Sequence, residues 1–387
     1  MTKKIKVGVV GCGYWGPNLV RNFNALSDCS LQIMCDKSEV RLAHLRPLYP
    51  EIEGVTDYEH MLNGINLDAV VIATLVKSHY ALAKASLLAG KHTFIEKPMA
   101  GSSGQCEELV EIAKKKGLVL MTGHTFLYSP VVQKMKEIIQ NGDIGEIRYI
   151  CARRLNLGLF QKEINVTWDL APHDISIILS IMGEQPITVN CRGSAHVSSG
   201  VEDVTTMCLT FEKEKTAIIH SSWLDPRKVR EMTIVGSKRM IVYDDMAPLE
   251  KIRIFDTRVE TPPHYDTFGE FHYAYHYGDV YAPYVKQDEP LKNECQHFLD
   301  CIKNGSTPLT DGNQGLELVR ILEASSESLK NGGSPVELAR PRTGIGTTTA
   351  APSVPTTILP AVASGIRIKV KKSADKTRLS GQTTSMT

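Results

Sequence analysis

Residues 5–16 decide the first half of the fold, and they run Ile5-Lys-Val-Gly-Val-Val-Gly11-Cys-Gly13-Tyr-Trp-Gly16. A short apolar run leads directly into the pattern G-x-G-x-x-G, and a helical pattern follows it. In such a turn Gly11 permits the tight bend, Gly13 lets the backbone approach a pyrophosphate, and Gly16 lets helix and strand pack closely. The pyrophosphate would lie at the helix N-terminus, where backbone N–H groups are free. The stretch therefore predicts a strand, a dinucleotide-binding turn and a helix.

An acidic residue stands at the spacing that such a turn needs. The next apolar run ends in Cys35-Asp36, and Asp36 follows Gly16 by twenty residues, where a carboxylate accepts hydrogen bonds from the adenosine ribose. A carboxylate there repels a 2′-phosphate, so the sequence predicts NAD as the cofactor rather than NADP. The positive charges of Lys37 and Arg41 weaken this preference for NAD over NADP but do not reverse it. A glycine-rich turn that binds no nucleotide is the alternative.

The chain up to residue 125 alternates short apolar runs with helical patterns, as parallel strands do when helices cover both faces of a sheet. We predict an α/β Rossmann domain with a doubly wound parallel sheet over residues 1–125. The predicted strands are Ile5–Val10, Leu31–Cys35, Ala69–Ala73, His92–Ile95 and Leu118–Thr122, and the predicted helices are Asn18–Leu26, Lys77–Ala89 and Gly104–Lys116. A further helix from Ser129-Pro130 to Asn141-Gly142 leads out of this domain.

The second half has β-branched runs with few helices between them, which indicates a mostly antiparallel sheet. We predict an α+β domain for substrate binding and oligomerisation over residues 126–338. The predicted strands are Ile147–Asn156, Thr188–Ser198, Asp203–Phe211, Thr216–Trp223, Arg230–Val235 and Met240–Tyr243, and the predicted helices are Pro172–Met182, Glu294–Lys303 and Gly312–Lys330.

Charge and composition change near the end of the chain. Of the 387 residues, those from 341 onward hold seven Lys or Arg and one Asp, so the preceding residues carry a net charge of −5 within an overall +1. Residues 339–387 are predicted to be a disordered basic tail, because their Thr, Ala, Pro and Ser content offers little apolar surface to bury. The mildly acidic body argues against binding to nucleic acid or to an anionic membrane.

Cysteine usage and hydropathy bear on the compartment. The nine cysteines form no C-x-x-C pair, and scattered thiols are typical of a reducing compartment, so we predict a cytoplasmic protein. No apolar stretch reaches the ~18 residues that span a bilayer. No membrane insertion is predicted.

A second motif, Glu96-Lys97-Pro98, follows the strand His92–Ile95 directly. In open α/β sheets ligands gather outside the carboxyl ends of the strands, so these charges are expected at the mouth of the nicotinamide site. A surface turn without function is the alternative.

A third motif is Trp168-Asp169-Leu-Ala-Pro172-His173. Since proline fits best in a first helical turn, Asp169 is expected near the N-cap, with His173 on the same helical face. Such a pair alone often serves only as a cap. Together with Lys97 it supplies the acid–base group that hydride transfer from an alcohol requires. His173 is then the base, Asp169 orients its ring, and the Lys97 ammonium stabilises the developing alkoxide.

These motifs together resemble the Gfo/Idh/MocA family of sugar and inositol oxidoreductases, over about residues 5–338. The resemblance also includes Ala73-Thr74 with His79, Gly142-Asp-Ile-Gly-Glu-Ile, and the closing stretch with Glu289, Glu294 and His297. It implies that Lys97, Asp169 and His173 are catalytic and that the protein forms homodimers or homotetramers through its second domain. The cofactor contacts that it implies are Gly11, Gly13, Tyr14, Trp15, Gly16, Asp36, Lys37, Thr74, His79, Glu96 and Lys97, and the substrate contacts are Lys97, Arg153, Trp168 and His173.

The substrate prediction follows from one difference between this sequence and the usual pattern of the family. Asn165-Val-Thr-Trp168 replaces the glycine-rich stretch that the family usually has before its Asp, which is similar to a subgroup encoded with surface-polysaccharide genes. The resemblance implies oxidation at C3 of a nucleotide-linked sugar, either a UDP-linked N-acetylated sugar or its uronic acid, in polysaccharide biosynthesis. The alternatives are a ketoreductase acting on a nucleotide-linked 3-keto sugar, an NAD-dependent glycosidase, and a non-catalytic dinucleotide sensor.

Two further features stay open at this point. Arg153 and Arg154 would meet a phosphate or carboxylate of the substrate, or else form a solvated or interface pair. The stretch Phe271-His-Tyr-Ala-Tyr-His-Tyr277 has two histidines four apart but no matching carboxylate or thiol. We therefore predict no metal there, and expect a strand at the substrate site or a subunit contact.

Overall fold

The first of two sheets in the computed structural model, which describes residues 4–260 and 274–338, is fully parallel. Its strands are β1 (Ile5–Val10), β2 (Cys29–Cys35), β3 (Glu53–Val55), β4 (Ala69–Ile72), β5 (His92–Glu96) and β6 (Leu120–Gly123). They lie in the order β3-β2-β1-β4-β5-β6. The strand order reverses between β1 and β4, and a crevice for ligands opens outside the carboxyl ends of strands at such a point. The predicted doubly wound sheet is confirmed.

Helices connect these strands. They are α1 (Gly16–Ala25), α2 (Glu39–Leu45), α3 (Tyr58–Gly64), α4 (Val76–Leu88) and α5 (Ser103–Lys116). All four residues of β4 are buried, as expected for a strand covered on both faces. Helix α5 ends as predicted at Gly117, which has a φ of 63° that favours glycine.

The second sheet has nine strands and is antiparallel except for the pair β7 and β10. Its strands are β7 (Ile147–Leu157), β8 (Thr188–Ser194), β9 (Val204–Thr210), β10 (Thr216–Ser222), β11 (Leu224–Gly236), β12 (Met240–Asp244), β13 (Ile252–Glu260), β14 (Ala274–Tyr281) and β15 (Val336–Glu337). They lie in the order β14-β13-β12-β11-β7-β10-β9-β8-β15. The predicted α+β class of the second half is confirmed.

Four helices accompany this sheet: α6 (Pro130–Gln140), α7 (Val166–Met182), α8 (Pro290–Asn304) and α9 (Gly312–Lys330). Helices α8 and α9 also pack on the first sheet, since Phe298 of α8 meets Phe23 and Phe94 with ring centroids 6.3 and 5.7 Å apart. The C-terminal helices therefore belong to the core of both halves. Among the described residues, no helix is both long and apolar enough to cross a lipid bilayer.

The start of α7 differs from its prediction. The helix begins at Val166 rather than Pro172, because the side chain of Asn165 accepts a hydrogen bond from the Trp168 N–H and caps it there. Pro172 lies inside the helix, so its expected place in the first turn is wrong, whereas Asp169 lies in the first turn, near the N-cap as expected. The predicted tail, residues 339–387, lies outside the described residues.

Candidate active site

The glycine turn has the space that a pyrophosphate needs. Gly11 has a φ of 96°, and a Cβ on Gly16 would stand 1.8 Å from the Gly11 carbonyl oxygen, so both positions require glycine. A Cβ on Gly13 would meet only the Arg41 guanidinium, at 3.7 Å. The N-cap residue of α1, Trp15, makes no side-chain cap. Pro17 has no N–H, and the Asn18 N–H donates to the Trp15 carbonyl oxygen at 3.0 Å, so within the first turn the Gly16 N–H is the donor left to meet a ligand. The turn therefore fits the phosphates of a dinucleotide.

The Asp36 carboxylate is fixed beside this turn. Its Oδ2 accepts a hydrogen bond from the Cys12 N–H at 2.7 Å, and its Oδ1 accepts one from the Ser38 N–H at 2.8 Å. The Arg41 guanidinium lies 3.4 Å from Oδ2. Two backbone donors therefore hold the carboxylate where a ribose would bind, with lone pairs still open to hydroxyl groups. Lys37 is exposed next to it.

The other predicted cofactor residues differ in exposure. Tyr14 and Trp15 are exposed beside the turn. The ring of His79 is buried, with Nδ1 2.9 Å from the Pro98 carbonyl oxygen and Nε2 2.9 Å from that of Thr74. It therefore joins the loops that follow β4 and β5, and it would act on a cofactor only through them.

Lys97 and Asp169 come together from the two halves of the chain. The Lys97 ammonium donates a hydrogen bond to the Asp169 carbonyl oxygen at 2.7 Å and lies 3.5 Å from its Oδ1. The other carboxylate oxygen accepts a hydrogen bond from Nε1 of Trp223 at 3.1 Å. The Asp169 carboxylate thus contacts Lys97 and Trp223 instead of orienting the His173 ring, and that expectation is wrong.

His173 lies on α7 close to this pair. Burial lowers the pKa of its ring well below the ordinary value of 6.5, and the nearby cations of Lys97, Arg154 and Arg230 lower it further. Its Nδ1 atom is buried with no hydrogen-bond partner among the described residues. Phe126 packs edge-on against the ring, with centroids 5.1 Å apart. The imidazole is therefore held neutral, and it is able to accept a proton.

Two arginines face this histidine, but the predicted Arg153 is not one of them. Arg154 is buried and forms two 2.8 Å hydrogen bonds to Asp174. Its neighbour Arg153 points to the other face of β7, as alternate strand residues do, and pairs there with Glu231. The second arginine near His173 is Arg230, on β11. The structure does not bring Arg153 to this site.

A buried acid cluster, defined as Glu96, His124 and Glu294, lies behind Lys97. Burial raises the pKa of Glu96 to about 7, while the Lys97 ammonium lowers it. Burial also raises the pKa of Glu294 well above its ordinary value, and the charge of Glu96 adds to this shift. Burial and Lys97 lower the pKa of His124 to about 3. One oxygen of each carboxyl and both ring nitrogens of His124 have no partner among the described residues.

Trp168 and the histidine-rich stretch give no direct evidence of a ligand. Nε1 of Trp168 donates a hydrogen bond to Ser326 of α9 at 2.8 Å, and its ring packs on the cores of both halves. His276 on β14 lies 3.2 Å from Asp256, and residues 271–273 lie outside the described part. Within 4–260 and 274–338, no group of three His, Cys, Asp or Glu side chains has the geometry of a metal site.

Sequence reasoning missed His124, Phe126 and Arg230. His124 comes directly after β6, and the rule that ligands gather at the carboxyl ends of parallel strands would have found it. Phe126 and Arg230 had no comparable signal, because only the pairing of distant elements brings them to His173.

Comparison with known families covers both halves of the chain. Residues 5–124 match the family model GFO_IDH_MocA, an oxidoreductase family with an NAD-binding Rossmann fold. Residues 132–242 match the model of the GFO/IDH/MocA C-terminal domain. The two models agree with the two sheets described above.

The individual relatives are distant, and two of the three described here match over nearly their full length. The chain is 27% identical to the uncharacterized oxidoreductase YrbE of Bacillus subtilis, over 86% of this chain and 96% of that protein. It is 25% identical to myo-inositol 2-dehydrogenase of Thermotoga maritima, over 84% and 96%. It is 27% identical to UDP-N-acetylglucosamine 3-dehydrogenase of Acidithiobacillus ferrooxidans, over 62% and 74%. A solved structure of that enzyme superposes with a TM-score of 0.70 at 24% identity, covering 85% of this chain and 98% of the other.

Proposed function

The chain belongs to the Gfo/Idh/MocA family of NAD-dependent oxidoreductases, and from this premise we propose that it oxidises the C3 hydroxyl of a nucleotide-linked sugar. The observation that carries the proposal is the contact between the Lys97 ammonium and Asp169, next to the neutral ring of His173. The similarity to UDP-N-acetylglucosamine 3-dehydrogenase supports this choice of substrate. The similarity to myo-inositol 2-dehydrogenase makes other polyols the main competitors.

The residues divide the chemistry between them. NAD, when bound, accepts the hydride at C4 of its nicotinamide ring. The Lys97 ammonium holds the carbinol oxygen and stabilises the negative charge that develops on it. His173 takes the hydroxyl proton, and its lowered pKa keeps it unprotonated and ready at neutral pH. Asp169 fixes the position of Lys97 through its carbonyl and carboxylate oxygens.

The same site serves the reverse reaction, the reduction of a 3-keto sugar, since the hydride and the proton held by His173 are then transferred back to the sugar. We propose the oxidative direction with a UDP-linked N-acetylated sugar or its uronic acid, within surface polysaccharide biosynthesis. We also propose a cytoplasmic homo-oligomer, in which the nine thiols stay reduced.

The test measures NADH formation by the purified protein with UDP-N-acetylglucosamine, its uronic acid and myo-inositol. Lys97→Met is expected to lower kcat by about 10²–10³-fold, because the charge on the oxygen loses its stabilising partner. Lys114→Met, at an exposed position on α5, is the matched control and should leave kcat unchanged.

Binding of NADH, followed by its fluorescence, separates the possible outcomes. Retained NADH binding with lost turnover in Lys97→Met supports the proposal. Full turnover in that variant contradicts it, and NADH binding without turnover of any sugar by the wild-type protein would favour a non-catalytic sensor.

A further inference from the structure

Arg154 and Arg230 point to the same side of the second sheet. They stand directly opposite each other on the antiparallel strands β7 and β11, and opposite residues share a face. Their guanidinium carbons lie 4.6 and 5.9 Å from the centre of the Phe126 ring, which itself packs against His173. Both arginines therefore face the proposed reaction site.

The two arginines differ in how far their charge is neutralised. Asp174 meets Arg154 through both carboxylate oxygens, and both side chains are only 5% exposed. Arg230 reaches one oxygen of Asp245 at 3.5 Å, and its side chain is 36% exposed. That Asp245 carboxylate also binds the Lys251 ammonium at 3.0 Å. One carboxylate thus serves two cations, and a positive charge is left over.

Most hydrogen-bond donors of Arg230 are also unused. A guanidinium has five N–H groups, and among the described residues the long contact to Asp245 is the one hydrogen bond that the Arg230 guanidinium makes. A planar fork of donors fits a carboxylate or a phosphate in a bidentate way. Because the Arg230 side chain is only partly exposed, such a contact would be somewhat stronger than one on the open surface.

We propose that Arg230 binds an anionic group of the substrate beside His173, which makes it a specificity-determining residue; this rests on the function proposed above. The anion neutralises the positive charge that remains because Asp245 pairs with both Arg230 and Lys251. It also opposes the cations that act on His173, so that the ring takes up the hydroxyl proton more readily once substrate is bound.

Two groups of a nucleotide-linked sugar have this chemistry. One is a carboxylate at C6 of a uronic acid, and the other is the phosphate at C1. The two are distinguished by comparing UDP-N-acetylglucosamine, which has the phosphates alone, with its uronic acid, which has both groups.

The experiment measures binding of these two compounds to the NADH-loaded protein by titration calorimetry. Arg230→Met is expected to raise the Kd of the uronic acid by about 10- to 100-fold, as for a lost hydrogen bond to a charged group. If the carboxylate is the bound anion, the Kd of UDP-N-acetylglucosamine stays within about threefold of the wild-type value. If the phosphate is bound, both Kd values rise alike.

The control variant is Arg148→Met, on the same strand as Arg154 but about 20 Å away, at ~3.3 Å per residue. It should bind both compounds as the wild-type protein does. Arg230→Lys keeps the charge without the planar fork and should recover part of the affinity. Thermal unfolding of each variant shows whether the fold is intact.

Unchanged Kd values in a folded Arg230→Met protein would overturn the inference, as would failure of both compounds to bind the wild-type protein. The proposed function is tested separately by NADH formation. Absence of turnover together with an Arg230-dependent Kd removes the proposed reaction alone, whereas turnover with Arg230-independent binding removes this inference alone.

Discussion

Burial decides which side chains of the site hold protons. His173 and His124 are both kept neutral, because an imidazolium would lose its hydration and would stand near Lys97. The carboxyls of Glu96 and Glu294 shift in the opposite direction, toward the protonated form. Protonation of this pair leaves less negative charge behind the Lys97 ammonium, whose ion-pair partner is Asp169.

The raised pKa values predict how stability depends on pH. Above the ordinary value of 4.5 an unfolded chain releases the protons of both carboxyls, while the folded protein keeps the Glu96 proton up to about pH 7. Since the folded state then binds more protons, the contribution of this pair to the free energy of unfolding falls as pH rises through that range. Glu294→Gln should remove much of this fall and stabilise the protein at pH 8, relative to pH 5, by roughly 1–3 kcal/mol.

Urea unfolding of both proteins at the two pH values measures this difference. The matched control is Glu111→Gln, an exposed glutamate on α5 that pairs with Lys115 and should change neither value. An equal pH dependence in the wild-type and Glu294→Gln proteins would show that the buried pair does not retain a proton.

Helix α7 carries most of the second half's contribution to the site. Its cap, Asn165, accepts from the Trp168 N–H at 3.2 Å and donates to Glu202 at 2.8 Å. Pro172 supplies no N–H to the carbonyl of Trp168, so the first turns of this helix depend more on the cap than those of an unbroken helix. Asp169 lies in this stretch, and its contact with Lys97 depends on the helix being formed there.

Asn165→Ala should therefore affect both stability and catalysis. Loss of the cap is expected to cost about 1–2 kcal/mol, measured by urea unfolding. The kcat should fall with it, because a frayed first turn holds Lys97 less firmly. Asp57→Ala removes the cap of α3, away from α7, and should cost stability without lowering kcat. Equal kinetic effects of the two variants would speak against this role of the cap.

The elements that sequence predicted well are those whose signal is local. Strands β1 and β4 are continuous apolar runs, and the glycine turn needs its glycines for reasons of backbone space. The short helices α2 and α3 have no sustained hydrophobic periodicity, and β13 was not predicted. Strand β14 overlaps the histidine-rich stretch in which a strand was expected. The start of α7 was missed because Pro172 pointed to a first turn, whereas the capping side chain of Asn165 determines the boundary.

For the site, the sequence motifs predicted only some of the residues that the fold brings together. Lys97 and Asp169 meet as expected, and His173 lies close by. The choice between Arg153 and Arg154 depends on strand alternation, and a one-residue difference in register reverses it. Arg230 belongs to the site because β11 pairs with β7, which no local pattern shows.

At the scale of the whole molecule, the C-terminal helices pack on the core of the first sheet. Phe298 of α8 is fully buried against Phe23 of α1 and Phe94 of β5. Helix α1 follows the glycine turn, and β5 leads directly to Lys97, so one aromatic contact supports both the cofactor side and the catalytic side of the first sheet. Because α8 packs on α1 and on residues 125–128, while α9 packs on β6 of the first sheet and β8 of the second, we expect the two halves to unfold together rather than one after the other.

Phe298→Ala tests this coupling. The cavity should lower the free energy of unfolding by about 3–5 kcal/mol, and the Kd for NADH should rise, since α1 and the turn before it lose their support. Phe211→Ala, which opens a comparable cavity at a fully buried residue of the second half, should destabilise the protein to a similar degree and leave the Kd for NADH unchanged. Urea unfolding is followed by circular dichroism and by tryptophan fluorescence, and the two curves should coincide in the wild-type protein. Separate transitions would mean that the C-terminal helices do not couple the unfolding of the two halves. Equal effects of the two variants on NADH binding would mean that Phe298 does not support the glycine turn through α1.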